Sequence, residues 1–194
     1  GTLTVTERTI VPGEDPDAPG YVGVAIDSPE NVVYDGQAHQ WAPAVTMKDA
    51  DGKVSELAEG ADYTVSYDKS DFTNVTGAIT VTITGQGNYT GSVTRTYEVT
   101  PAELKVSTAS ASKVYDGTAL TKKDEWSIDG LVNGETASLD VTGSQTEVGG
   151  AAGNNSYVIE WGTAKASNYK VVESKCGTLT VTERTIVPGE DPDA

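Results

Sequence analysis

One stretch of eighteen residues, GTLTVTERTIVPGEDPDA, occupies positions 1–18 and recurs without a change at positions 177–194. An identity of that length marks a tandem array whose period is the 176 residues from Gly1 to Gly177. The chain therefore reads as one full unit preceded by the tail of another. Each copy has two halves with different physical character. GTLTVTERTIV alternates Leu3 and Val5 with Thr2, Thr4 and Thr6, the pattern of a half-buried strand, whereas PGEDPDA is acidic and carries two prolines. The first half is expected to end a domain and the second to link it to the next. Residues 1–20 are then the last strand and linker of a preceding repeat, and residues 188–194 the linker to a following one. The amino-terminal copy is an orphan strand under this reading, expected to order by adding to an exposed sheet edge.

A shorter repeat lies inside the period. Val33-Tyr34-Asp35-Gly36 returns as Val114-Tyr115-Asp116-Gly117, and Asn88-Tyr89 returns as Asn168-Tyr169. The unit is thus two diverged copies of one small fold, a first domain over 21–101 and a second over 102–187. Both are written in strands. DYTVSYD sets Tyr63, Val65 and Tyr67 on one face, GAITVTIT sets Ile79, Val81 and Ile83 opposite threonines, and SYVIEWG does the same with Tyr157, Ile159 and Trp161. Asp35-Gly36, residues 48–53, Asn133-Gly134 and Gly149-Gly150 supply turns. Helix signals are few: one turn is expected over 55–60 and a short helix over 118–125. The fold class is all-β, two tandem small antiparallel β-sandwich domains of Ig-like type, with β-grasp-like sheets as the alternative.

The formal net charge of -16 argues against nucleic acid as a partner, because a phosphate backbone needs clustered lysine and arginine. No apolar run is long enough for a spanning helix, so no membrane insertion is expected within this sequence. The single cysteine, Cys176, has no partner for an internal disulfide, and the single histidine, His39, leaves a histidine-based triad or zinc site nothing to draw on.

Several residues could nonetheless carry chemistry. Tyr34 and Tyr115 present rings suited to a sugar, but each is expected to pack beneath the Asp-Gly turn that follows it. Trp41, Trp126 and Trp161 read as core. Trp126 is the most open to another role, because with Lys122, Lys123 and Asp124 it forms the nearest candidate for a ligand cluster present in only one of the two copies. Asp49, Asp51 and Lys53 start like a calcium loop, yet Lys53 and Gly60 fall where oxygen ligands are required, so the segment reads as a hairpin turn. Glu14, Asp15 and Asp17, with their copies Glu190, Asp191 and Asp193, could hold Ca²⁺ between domains; the simpler reading is a solvated spacer stiffened by proline, with no cofactor. No paired acid, nucleophile or phosphate loop suggests an enzyme.

The phrases VYDGQAHQWAPAVT, VTITGQGNYTGSVTRTYEVTPA, KVYDGTALTKKDEW and WGTAKASNYKV resemble the YDG and MBG type repeats of bacterial surface proteins, over nearly all of 21–187. That resemblance implies Ig-like tandem repeats in a secreted, cell-wall-anchored adhesin of a Gram-positive bacterium. It also implies a stalk or fibre role with neighbouring repeats as partners, and no catalytic residues. The alternative function is direct binding of a host glycan or extracellular matrix protein.

Overall fold

The computed structural model describes residues 1–13, 15–132 and 134–186. It divides into two compact units, Gly1–Thr100 and Pro101–Ala194. Among the described residues the regular structure is all strand, apart from one 3-10 turn at Ala166–Asn168. No helix among them is long and apolar enough to cross a membrane.

The first unit contains β1 (Arg8–Thr9), β2 (Gly23–Ile26), β3 (Val32–Val33), β4 (Val45–Lys48), β5 (Val54–Glu56), β6 (Tyr63–Tyr67), β7 (Ile79–Gly85), β8 (Tyr89–Thr90), β9 (Ser92–Tyr97) and β10 (Val99–Thr100). Strict alternation puts Ile79, Val81 and Ile83 of β7 wholly inside, where they meet Val24, Ile26, Val45, Met47, Tyr63, Val93 and Tyr97. Burying each such aliphatic side chain stabilises the fold by about 1.5–3 kcal/mol relative to exposure. The hairpin turn expected at 48–53 joins β4 to β5, with the Asp49 carboxylate accepting from the amides of Asp51 and Lys53 at 3.0 and 2.9 Å. The helical turn expected over 55–60 is not formed. Ser55 and Glu56 instead pair with Met47 and Thr46, because the exposed β4 edge offers ladder hydrogen bonds that one isolated helical turn cannot match.

The second unit contains β11 (Ala102–Thr108), β12 (Ala111–Val114), β13 (Trp126–Asp129), β14 (Ala137–Val141), β15 (Tyr157–Trp161), β16 (Tyr169–Lys175) and β17 (Leu179–Thr182). Val106, Leu139 and Val141 form a core cluster there, flanked by Ile128, Tyr157 and Ile159, and Leu104, Leu179 and Val181 are also buried. The short helix expected over 118–125 is also absent; Leu120 forms a bridge with Gln145. Asn133 lies outside the described residues.

The expectation of purely antiparallel sheets fails in both units. β1 pairs in parallel with β8, β3 with β10, β11 with β16, and β12 with β17. The strands that precede the YDG turn, β1 and β3 in the first unit and β11 and β12 in the second, are each taken up by a strand from the other end of the unit running in the same direction, whereas the strand after the turn, β4 or β13, pairs antiparallel. Parallel pairing demands a long crossover, which the intervening hairpins provide.

Register aligns the two units and revises the organisation read from sequence. In the second, β11 pairs Ala102 with Tyr169 and continues to pair Thr108 with Trp126. In the first, the same two tasks fall to separate strands: β1 pairs Arg8 with Tyr89, and β2 pairs Ile26 with Val45. Thus β1 and β2 together correspond to β11, and the proline-rich acidic stretch interrupts what is one strand in the second unit. In this copy that stretch is not an inter-domain linker, because both of its flanks belong to the first unit. The Tyr21 hydroxyl ties it down, accepting from the Gly13 amide at 2.9 Å and donating to the Val24 carbonyl at 2.8 Å.

Candidate functional site

The two YDG turns share one construction. Gly36 and Gly117 both adopt φ of 79°, the left-handed region that a Cβ disfavours, which lets the chain reverse tightly after the aspartate. Asp35 Oδ1 then accepts from the Gln37 amide at 2.8 Å, and Asp116 Oδ1 from the Thr118 amide at 2.9 Å. In the first unit His39 Nε2 lies 2.8 Å from the same oxygen of Asp35; in the second, Lys113 Nζ donates to Asp116 at 2.7 Å. The Gln37 amide, with help from His39, holds the Asp35 carboxyl below its usual range, and Lys113 is the main cause of a larger depression at Asp116. Tyr34 is buried and Tyr115 half-buried. In both turns the aspartate organises backbone.

The Asn-Tyr pairs serve the same purpose. Asn88 offers its carbonyl to the Arg8 amide at 2.9 Å, and Tyr89 packs against the first core. Asn168 is buried in the 3-10 turn. Tyr169 stacks on Trp161 with centroids 5.9 Å apart, donates its hydroxyl to Glu135, and accepts from the Val132 amide at 3.1 Å. Trp41 packs on the first core as expected.

Trp126, expected in the core, is instead 39% exposed, unlike the other two tryptophans. Lys122 beside it reaches Asp124 at 3.1 Å and Glu125 at 2.6 Å, so its charge is locally neutralised. Lys123 is exposed. A second polar surface lies on the outer face of β13, β11 and β16, where Ser107 and Ser127 share a hydrogen bond of 2.8 Å and Glu173 pairs with Lys175 and, at 4.0 Å, with Lys105. Its charges also pair with one another.

Of the calcium candidates, Glu14, Glu190, Asp191 and Asp193 lie outside the described residues. The carboxylate of Asp15 accepts from the Asp17 amide at 3.2 Å within the inserted loop. Among the described residues no three histidine, cysteine, aspartate or glutamate side chains converge as a metal-holding group.

One buried polar node gave no signal in the sequence. Asn155 is wholly inaccessible, and its amide nitrogen donates to the carbonyls of Ala109 at 2.8 Å and Lys122 at 3.0 Å. Its backbone N–H donates to Gly177 at 3.0 Å, and the Gly177 amide donates to the Thr108 hydroxyl at 2.9 Å. Gly177 opens the second copy of the repeat and is required there, since a Cβ would overlap the Ala109 carbonyl. Asparagine and threonine usually advertise turns, so their role as interior joints is visible only once the strands are assembled.

The most informative geometry belongs to the repeated stretch itself. In the second copy Leu179 and Val181 are 0% and 1% exposed, seated in β17 against β12, while Ile186 is 92% exposed. In the first copy the pattern inverts: Leu3 and Val5 are 99% and 95% exposed, and Ile10 is 0% exposed within the core of the first unit. The Ile10 amide donates to the Thr90 carbonyl at 2.8 Å. The edge sought by the orphan copy is therefore β8, and what docks there is the second part of GTLTVTERTI rather than its alternating first part. One sequence has two halves, each of which has a place in a different unit.

The second unit is similar to the YDG domain, whose family model matches residues 100–176. No curated protein matches the chain.

Proposed function

We propose that this chain is a structural stalk repeat of a bacterial cell-surface adhesin or fibre, secreted and held at the cell wall, where it projects a binding head. The observation that carries this reading is the junction between the units. β10 ends at Thr100 and β11 begins at Ala102, leaving Pro101 alone between two strands that belong to different compact units. A one-residue handover between proline-fixed strands suits a spacer whose length is counted in units. Similarity to the YDG domain and the acidic, cysteine-poor composition agree with it. The terminal strands of the second unit, β11 and β17, each pair in parallel with an internal strand. Tension applied along such strands loads the ladder bonds in shear, so several must break together.

For the finer fold, two tandem Ig-like sandwiches remain one reading. The seating of β11 between antiparallel β13 and parallel β16 favours the β-grasp-like alternative, in which a first strand lies between its hairpin partner and a parallel later strand.

Electron microscopy of proteins with increasing unit number tests the stalk role. The expected result is a contour length that grows linearly with the number of units; particles that fold back into compact clusters would overturn it. The second reading, direct adhesion to a host glycan or extracellular matrix protein, is favoured by the exposure of Trp126. Reproducible binding to such a ligand that is lost in Trp126→Ala would replace the stalk role with this one.

A further inference from the structure

We infer that residues 183–186 form a donor strand for a further copy of the first unit, which they complete by taking the seat that residues 7–10 occupy here. The segments are identical, Glu-Arg-Thr-Ile in both places. The seat is fully defined by the amino-terminal copy. Arg8 donates its backbone amide to Asn88 at 2.9 Å, Ile10 donates to Thr90 at 2.8 Å, and the Ile10 side chain is closed into the cluster of Val24, Ile26, Met47 and Ile83. Arg8 adds a contact of 3.2 Å from its guanidinium to the Met47 sulfur. At the carboxyl-terminal copy Arg184, Thr185 and Ile186 are all exposed, although the four residues before Glu183 are built into β17. A strand-forming segment with a core isoleucine left in solvent has an unsatisfied apolar face, and the chain itself contains the site that fits it.

A second observation, independent of the repeat, gives the same geometry. At the internal junction Val99-Thr100 closes one unit, Pro101 intervenes, and Ala102 enters the next against Tyr169. At the repeat, Val181-Thr182 closes the second unit, Glu183 intervenes, and Arg184 matches Arg8, which enters the first unit against Tyr89. Leu104 and Ile10 hold the equivalent buried positions two residues further on, both 0% exposed. Each copy of GTLTVTERTI is thus one shared strand, its first part closing one domain and its last part opening the next. A first unit taken without its preceding ERTI lacks a core residue. The inference rests on the tandem reading and is independent of the surface role.

The test is site-specific protection of position 186. In a Cys176→Ser background, Ile10→Cys and Ile186→Cys are each labelled with a maleimide, both in the chain as it stands and in the chain extended after Ala194 by a second copy of residues 19–194. In the single chain the Ile10→Cys thiol is expected to react at least about a hundredfold more slowly than the Ile186→Cys thiol. In the extended chain the Ile186→Cys thiol should slow to the rate of the Ile10→Cys thiol. Protection of the Ile186→Cys thiol in the single chain that grows with protein concentration would also support the inference, as the seat filled from a separate molecule. Because cysteine is smaller than isoleucine and loosens the core at either seat, amide exchange at Ile186 is followed in unsubstituted single and extended chains. Exchange at Ile186 that is equally fast in both overturns the inference. So does an Ile186→Cys rate left unchanged by extension while the Ile10→Cys thiol of the extended chain is protected. The contour-length measurement reads the stalk role separately.

Discussion

The Thr108 hydroxyl donates to the backbone carbonyl of Asn155 at 2.7 Å, and the same oxygen accepts from the Gly177 amide. Both side chains are buried, and this node joins the end of β11, the segment before β15 and the start of the repeat. Replacing Thr108 by valine keeps the shape and strands two buried backbone groups. We expect Thr108→Val to destabilise the second unit by about 1–3 kcal/mol, and Thr108→Ser to lose less because the hydroxyl remains. Urea unfolding followed by tryptophan fluorescence measures the difference, and faster exchange of the Gly177 amide in the valine variant assigns it to the node.

The Asp116 turn makes a pH prediction whose sign can be worked out. Lys113 and the Thr118 amide and hydroxyl all favour the carboxylate, so its folded pKa lies below the ordinary value of 3.8. A group depressed on folding contributes its full stabilisation above the unfolded pKa and loses it as pH falls toward the folded one. Acid unfolding of the second unit below about pH 4 should therefore be shallower in Asp116→Asn. Carboxyl titration by NMR should also find that Lys113→Ala raises the Asp116 pKa and leaves Asp35, held by Gln37 and His39, where it was.

The inserted loop yields a third expectation. Tyr21 bridges Gly13 and Val24 through one hydroxyl, so Tyr21→Phe removes both hydrogen bonds while keeping the ring. The loss should be about 1 kcal/mol in the first unit, with faster amide exchange confined to Gly13 and its neighbours. Calcium titration by calorimetry should give no heat if the loop is only a solvated, proline-stiffened segment. Millimolar-range binding heat would instead support the metal reading of this loop.

Local pattern was enough where burial depends on period alone. The alternation Ile79, Val81, Ile83 placed a central strand correctly, and the Asp-Gly pairs placed turns, because both signals are contained in the residues that form them. Two kinds of feature were not legible. The segment at 55–60 has helical composition, and its fate was decided by the edge of β4 just across the hairpin turn, whose ladder hydrogen bonds composition alone does not show. The role of Ile10 was hidden for a stronger reason: its surroundings are identical to those of Ile186, so no function of local sequence can return both burials. Aligning Val99-Thr100-Pro101 with Val181-Thr182-Glu183 would have found it, by setting Leu104 against Ile186 and hence against Ile10.

That identity also allows a stability experiment in which sequence context is held constant. Four alanine substitutions, at Leu3, Ile10, Leu179 and Ile186, sample two positions in two copies of one segment. Ile10 and Leu179 are fully buried, so each truncation should cost about 2–5 kcal/mol from lost transfer energy and a residual cavity. The cost should fall on the first unit for Ile10 and on the second for Leu179. Leu3 and Ile186 are almost wholly exposed and should change stability by no more than about 0.5 kcal/mol. Helix or strand propensity cannot produce this crossed pattern, because each pair has the same neighbours; only the seat differs. Denaturant unfolding, with Trp41 reporting the first unit and Trp126 and Trp161 the second, measures all four. Equal effects of Ile10→Ala and Ile186→Ala would show that β1 does not hold its place against β8, and the shared-strand arrangement would fall with it.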